Sequence, residues 1–288
     1  MESHADLRPY LFAIAYRMLG SVAEAEDVVQ DAFLRYHEAG VGADSPKAYL
    51  ATVTTRLAID RLRSAQSRRE VYPGEWLPEP IVDDEAVRHA ETADSLSLAF
   101  LHLLEQLSPV ERAVFLLREV FDYPYDDVAS IVRKSSENCR QILARAHGHL
   151  AESRRRFAVT REERDEVARR FLDAWEQGDV GGLVELLAAD ATVYGDGGGK
   201  APSIPVPLVG PERVAKALIG WGRRAREHGL THRATLVNGE PGVVFSDSDG
   251  RAVWVAGLEI ADGTVIAVRS ILNPDKLTHL SRGCVGES

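Results

Sequence analysis

The chain has 288 residues, 45% of them hydrophobic, and a formal net charge of −10. That length accommodates two or three domains with sizeable cores, and no run is long and apolar enough to span a bilayer as a helix. The acidic balance excludes a protein that grips nucleic acid by bulk charge alone, while allowing one that reads DNA within a larger basic assembly. The opening MESHADLRPY lacks the basic-then-apolar order of a secretory leader. Two cysteines, Cys139 and Cys284, make no disulfide framework, and a reducing cytoplasm is the expected compartment. Charge is unevenly placed: residues 56–69 and 140–156 are basic and residues 75–94 acidic.

Residues 5–20 read as an amphipathic helix with Leu7, Leu11, Ile14, Ala15 and Met18 on one face. Ser21 and Glu24 have capping-box spacing. They open a second helix carrying Ala25, Val28, Val29, Ala32, Phe33 and Tyr36 inward and Glu26, Asp27, Gln30, Asp31 and Arg35 outward. That acidic stripe suits either solvent or a basic protein partner. After a glycine-containing loop, Ser45-Pro46 opens a third helix through Tyr49, Val53, Leu57 and Leu62. It presents Arg56, Arg61 and Arg63 with Thr52, Thr54 and Thr55, residue types that can line a phosphate backbone. An ordinary solvated helix rich in arginine reads the same way.

Residues 71–94 differ in kind. Two prolines in Trp76-Leu77-Pro78-Glu79-Pro80 forbid a regular helix, and a Trp-Leu pair beside them predicts an extended segment docked on something. Helical pattern resumes near Ser95 with Leu96, Phe100, Leu103, Leu104 and Leu107. Ser108-Pro109-Val110-Glu111 is a capping box with proline at the first helical position. Residues 125–150 then read as a helix-turn-helix. Val128, Ala129 and Val132 give the first helix its apolar face, and Arg133-Lys134-Ser135 forms the turn, where glycine is frequent. Ser135 or Ser136 caps the second helix. Cys139, Ile142, Leu143 and Ala146 face inward, and Asn138, Arg140, Gln141, Ala144 and Arg145 face out. Arg, Gln and Asn near the start of such a helix can read base edges in the major groove.

The order AEAEDVVQDAFLRYHE, SPKAYLATVTTRLAIDRLRSAQSRR and LSPVERAVFLLREVFDYPYDDVASIVRKSSENCRQILARAHGHL resembles bacterial RNA polymerase sigma factors of the extracytoplasmic-function type, with conserved regions 2 and 4. The resemblance implies a role for each matching residue. Asp27, Gln30 and Asp31 would meet the clamp helices of the polymerase β′ subunit. The loop of Asp44 and Ser45 would capture a flipped −10 base, whose unstacking costs a few kcal/mol. Arg56, Asp60, Arg61 and Arg63 would handle the melted strand. Ser136, Asn138, Arg140, Gln141 and Arg145 would read the −35 element, and the β flap would be a further polymerase contact. Two features depart from the family pattern: Arg133 stands in the turn where glycine is frequent, and His147-Gly148-His149 stands where relatives often carry arginines.

The C-terminal half opens at the capping box Thr160–Glu163, followed by a helix with Val167, Phe171, Leu172 and Trp175 inward. A short helix at Leu183, Leu186 and Leu187, a strand at residues 192–194 and a helix over 211–227 come next. Strands over 230–237, 242–245, 252–260 and 264–272 complete an α+β pattern. It resembles the SnoaL-like branch of the NTF2-like cone, whose relatives include enzymes. Candidate pocket groups are Tyr194, Asp196, His232, Trp221 and Trp254, and an Asp with a His could abstract a proton. Three short motifs sharpen the resemblance: WLPEP, DGGGK (Asp196, Gly197, Gly198, Gly199, Lys200) and NPDKL (Asn273, Pro274, Asp275, Lys276, Leu277). Together they resemble the group of sigma factors with a fused SnoaL-like extension, the SigJ type.

The expected architecture is multidomain: two all-α sigma domains and an α+β NTF2-like cone. The expected segments are a region 2 domain over residues 1–70, a linker over 71–94, a region 4 helix-turn-helix domain over 95–156, and a SnoaL-like regulatory domain over 160–280. The implied function is a sigma factor that binds core RNA polymerase, recognises promoter DNA and starts transcription. It is expected to need no cofactor or metal, to catalyse nothing, to avoid membranes and to be a monomer when free. A small-molecule ligand in the cone is left open. The alternative is a DNA-binding module fused to a SnoaL-like enzyme or ligand sensor.

Overall fold

The computed structural model describes residues 4–39, 45–69, 72–82, 93–150 and 160–282. These fall into two compact units, one drawn from Met1–Val71 and Phe100–Arg154, the other from Tyr72–Ala99 and Arg155–Ser288. Among the described residues no helix is long and apolar enough to cross a membrane.

The first unit is helical. α1 (His4–Leu19) buries the apolar face its spacing predicts. α2 (Val22–Ala39) starts where the Ser21 hydroxyl accepts the Glu24 N–H at 3.2 Å, and it buries Ala25, Val28, Val29 and Ala32. α3 (Pro46–Arg69) is capped by the Ser45 hydroxyl, which accepts from the Ala48 N–H at 3.3 Å. Of the four large residues that mark it in sequence, Leu62 alone is fully buried. Leu50, Ala51, Thr54, Thr55, Ala58, Ile59 and Leu62 are buried, while Val53 and Leu57 are only half-buried. The reason is that α3 packs against both α1 and α2, and helices that approach closely favour small residues at the contact. Thr54 and Thr55 are therefore core residues and line no phosphate path.

α4 (Leu98–Leu103) spans, in sequence, the division between the units, and a 3₁₀ turn (Leu104–Gln106) follows it. α5 (Pro109–Phe115) has both halves of its capping box, Ser108 with Glu111, and ends in a π turn (Leu116–Val120). Arg112, 2% exposed, donates to the carbonyls of Met18 at 2.8 Å and Leu104 at 2.6 Å, joining the end of α1 to the start of the helix-turn-helix region. Tyr10 and Tyr123 share a hydrogen bond at 2.6 Å, and the Arg17 guanidinium lies 5.4 Å from the Phe121 ring centroid. Burial lowers the Arg17 pKa to about 10. α6 (Tyr125–Val132) and α7 (Ser136–Leu150) form the helix-turn-helix. Ile131, rather than half-buried Val132, completes the inner face of α6.

The second unit wraps a sheet around helices. α8 (Arg161–Gln177) begins with the complete Thr160–Glu163 box, and α9 (Val180–Leu186) follows. Strands β1 (Leu187–Asp196), β2 (Leu208–Val209), β3 (Thr231–Val237), β4 (Glu240–Ser246), β5 (Ala252–Ala261) and β6 (Thr264–Ile271) pair in the order β2-β1-β6-β5-β4-β3, with α10 (Pro211–Glu227) between β2 and β3. Only β1 and β6 run parallel. Register shifts in β1–β6, β4–β5 and β5–β6 supply the local bends a curved sheet needs. One face packs Trp254, Phe245 and Val243 on Phe171, Trp175 and Leu218 of α8 and α10. The opposite face, carrying Val244, Val255 and Ile271, is covered by Leu77, Leu98 and Leu277. The segment after α3 thus forms part of this unit's core. The two-residue strand β2 was not foreseen, because two residues carry no readable period.

Arg133, which ends α6, takes the left-handed conformation at φ 56°. A side chain there is strained by roughly 1–2 kcal/mol. Arg133→Gly is expected to raise the urea midpoint of unfolding by the equivalent of up to about 1 kcal/mol, after the entropic cost of glycine; a lowered midpoint would contradict this.

Candidate nucleic-acid interface and linker clasp

The helix-turn-helix presents its predicted residues as a set. The Ser135 hydroxyl accepts the Asn138 N–H at 3.1 Å, which settles the cap in favour of Ser135. Ser136 instead donates its hydroxyl to Asp126 at 2.5 Å, bracing α7 against the start of α6. The Arg140 guanidinium lies 4.8 Å from the centroid of the Tyr125 ring, and Gln141 and Arg145 are exposed. Arg145 stands 3.9 Å from Glu111. The Glu111 pKa is lowered: burial opposes this, but hydrogen bonds from Ser108 outweigh it.

The α3 residues are engaged within their own unit. Arg56 donates to the carbonyls of Ser130 at 2.8 Å and Ile131 at 2.9 Å. Both lie in the last turn of α6, where carbonyls lack helical partners and the dipole favours a cation. Arg61 bridges Asp27 at 3.2 Å and Asp31 at 3.6 Å, and Arg63 lies 3.4 Å from Asp60. Gln30 is exposed beside them on α2. Asp44 lies outside the described residues.

In the second unit the three short motifs converge on one buried carboxylate. Asp196, the last residue of β1, is 0% exposed. Its Oδ1 accepts the Tyr72 hydroxyl at 2.6 Å, and its Oδ2 accepts the Leu77 N–H at 2.8 Å and Lys276 Nζ at 2.7 Å. Lys276 Nζ also donates to the Leu77 carbonyl and stands 4.1 Å from the Trp76 ring centroid. Asn273 donates to the Tyr72 hydroxyl at 2.8 Å, and Lys200 pairs with Asp275 at 2.5 Å. Burial, with the Asp196 carboxylate alongside, raises the Tyr72 pKa and keeps its hydroxyl a donor. Gly198 and Gly199 have φ of 58° and 70°. A Cβ on Gly198 would come within 2.6 Å of Asn273 Cγ, and one on Gly199 within 2.8 Å of Pro73 Cγ. The glycines let the loop reach left-handed conformations and lie directly on the linker.

Residues 77–81 are buried, so the predicted docking of Trp76 and Leu77 has a concrete partner in this unit. Sequence reasoning missed three of its members. Tyr72 is one. Asn238 is another: its side chain accepts the Ile81 N–H at 2.9 Å and donates to the Leu96 carbonyl at 2.8 Å, while its own N–H donates to the Ile81 carbonyl at 2.7 Å. The third, His279, meets the Pro80 carbonyl at 2.8 Å. Asn238-Gly239 between two strands was a readable hairpin signal, whereas its reach to the linker was not.

The candidate pocket groups separate. Trp221 and Trp254 line a cavity of about 620 Å³ between α10 and the sheet. Asp196 belongs to the clasp instead. His232 meets Glu176 at 2.9 Å and stacks edge-on against Trp175, and Tyr194 packs on the opposite face of the sheet. The proposed Asp–His proton-transfer pair is therefore absent: the two side chains are tied into different contacts, because strand residues alternate faces. Among the described residues no cluster of three or more His, Cys, Asp or Glu could hold a metal.

Comparison with known proteins agrees with this organisation. Residues 4–68 match the Sigma-70 region 2 family model, 97–150 Sigma-70 region 4, and 168–271 the SnoaL-like domain. The chain is 35% identical to the ECF RNA polymerase sigma factor SigJ of Mycobacterium tuberculosis, over 94% of this chain and 91% of that one. It is 33% identical to the probable ECF RNA polymerase sigma factor SigI of the same species, over 95% and 93%. The crystal structure of M. tuberculosis SigJ superposes with a TM-score of 0.78 at 34% identity, covering 96% of each chain. The chain belongs to the extracytoplasmic-function RNA polymerase sigma factors, with a C-terminal SnoaL-like domain. It is thus a promoter-specificity subunit, a class that works with core RNA polymerase on promoter DNA.

Asp196→Asn leaves the Lys276 ammonium buried without a counter-charge, and a loss of about 3–5 kcal/mol is expected. Adding Lys276→Met should recover part of it, giving a coupling energy of at least about 1 kcal/mol in a urea double-mutant cycle. Strictly additive losses would contradict the ion pair.

Proposed function

We propose that Ser136, Asn138, Arg140, Gln141 and Arg145 form the −35 reading surface, with Ser136 setting the pose of α7 through Asp126. Ser45, Arg56, Asp60, Arg61 and Arg63, with Asp44, form the −10 and strand-handling surface. Asp27, Gln30 and Asp31 meet the β′ clamp helices, and the helix-turn-helix region meets the β flap. The observation that carries the reading is that these arginines are already occupied: Arg56 by the carbonyls closing α6, and Arg61 by the acidic stripe of α2. Binding polymerase at Asp27 and Asp31 competes with Arg61 and frees it for DNA. Moving α6 away from α3 frees Arg56.

The third region acts as a fused regulator and not as an enzyme. WLPEP, DGGGK and NPDKL fasten the stretch joining regions 2 and 4 to the cone, so the clasp limits where those regions can stand. Support for a non-catalytic cone comes from its cavity, which has no carboxylate among its lining residues and so lacks a general base of that kind. The expected segment boundaries remain the functional division, with residues 72–82 shared between linker and cone.

In-vitro initiation with limiting core polymerase tests this. Trp76→Ala, which removes the ring beside Lys276, is expected to raise initiation. Arg140→Ala is expected to lose roughly 1–3 kcal/mol of discrimination at one −35 base pair. Unchanged initiation would contradict clasp regulation, and equal loss on all sequences would reduce Arg140 to a phosphate contact.

A further inference from the structure

The cone cavity has the size of a small-molecule site, for which about 300–1,000 Å³ is usual, and its walls specify a chemistry. Ile204, Leu230, Val253 and Leu272 with the rings of Trp221 and Trp254 make it predominantly apolar. The buried Ser270 hydroxyl accepts the Trp254 indole N–H at 2.7 Å and keeps its own proton to donate. Arg224 and His228, both exposed, line the same cavity. The His228 Nδ1–H donates to the Arg224 carbonyl at 2.7 Å, which leaves Nε2 available. Among the described residues no carboxylate lines the cavity, and the neighbouring Glu227 pairs with Arg223 and not with Arg224. The only formal charge the lining offers is therefore positive.

The same strands carry the clasp on their other side. Val193 and Gly195 of β1 line the cavity, and the next residue, Asp196, holds Leu77, Tyr72 and Lys276. Ser270 and Leu272 line the cavity, whereas Ile271 packs with Leu77 and Leu277, and Asn273 bonds Tyr72. The N–H groups of Leu272 and Asn273 both donate to the Asp196 carbonyl, at 2.7 and 3.0 Å. Ala201, Pro202 and Ser203, which follow the DGGGK loop directly, close one side of the cavity. Anything packed against the inner face of these strands raises the free energy of opening them locally, and that opening is the step that releases Asp196.

We propose that the cone cavity is a receptor site for an apolar, ring-bearing carboxylic acid, and that filling it tightens the linker clasp through β1 and the end of β6. The ring system lies between the tryptophans, and the carboxylate meets the Arg224 guanidinium. This rests on the clasp geometry and deepens the regulatory reading; it does not need that reading's polymerase contacts.

The test uses the full chain with pyrenebutyric acid and its methyl ester as probes, followed by pyrene fluorescence. The acid is expected to bind saturably and roughly tenfold more tightly than the ester. Arg224→Gln should remove that preference while leaving ester binding in place. Val253→Phe, which fills the cavity, should block both. At saturation with the acid, hydrogen exchange at the Leu77 amide should slow several-fold. The proposal is overturned if neither probe saturates, if acid and ester bind equally, if Arg224→Gln leaves the preference intact, or if Leu77 exchange is unmoved at saturation. None of these readouts involves transcription, so promoter function and ligand sensing can fail separately.

Discussion

A carboxylate with no solvent exposure has to be neutralised by what surrounds it, and the second unit is built around that requirement. Desolvating Asp196 alone would cost several kcal/mol. Lys276, the Leu77 amide and the Tyr72 hydroxyl together meet the need. The four residues come from three separate stretches of chain: Tyr72 and Leu77 precede the helix-turn-helix region, Asp196 ends β1, and Lys276 lies in the 3₁₀ turn Pro274–Lys276. Removing any one leaves a buried charge or a buried polar group unpaired. The apolar contacts of Leu77, Ile271 and Leu277 around it supply burial, and the polar contacts supply uniqueness of register.

The helical unit shows a related economy. Cations that the sigma factor is proposed to use on DNA serve the free protein as structural pieces: Arg56 satisfies the carbonyls ending α6, and Arg61 spans two aspartates of α2. Exposed pairs like that of Arg61 are worth about 0–1 kcal/mol, weak enough for polymerase or DNA to replace. Arg112, bonded to carbonyls and buried, is a fixture of a different order.

Much of the architecture was legible in sequence because helix starts carry local chemistry. The boxes at Ser108 and Thr160 were complete as read, and α6 and α10 began and ended at the expected residues. The buried face of α3 was not legible, because its large residues Tyr49, Val53 and Leu57 are only half-buried, whereas a helix packed on two sides buries Ala51, Thr54 and Ala58. The WLPEP, DGGGK and NPDKL motifs were legible as a set through family resemblance, but not their shared centre. No periodicity links Tyr72 to Asp196 across 124 residues. The Asp–His pair failed for a simpler reason: two catalytic residue types in one domain say nothing about which strand face each occupies.

The most direct measurement is native-state hydrogen exchange at the Leu77 amide in the full chain without ligand. If Asp196 holds the linker as described, this proton exchanges only with opening of the sheet, at a free energy close to that of the β1 and β6 core amides. Exchange at the rate of an unstructured peptide, with the strand amides still protected, would mean that the linker is not clasped and would remove the physical basis for regulation by the fused domain.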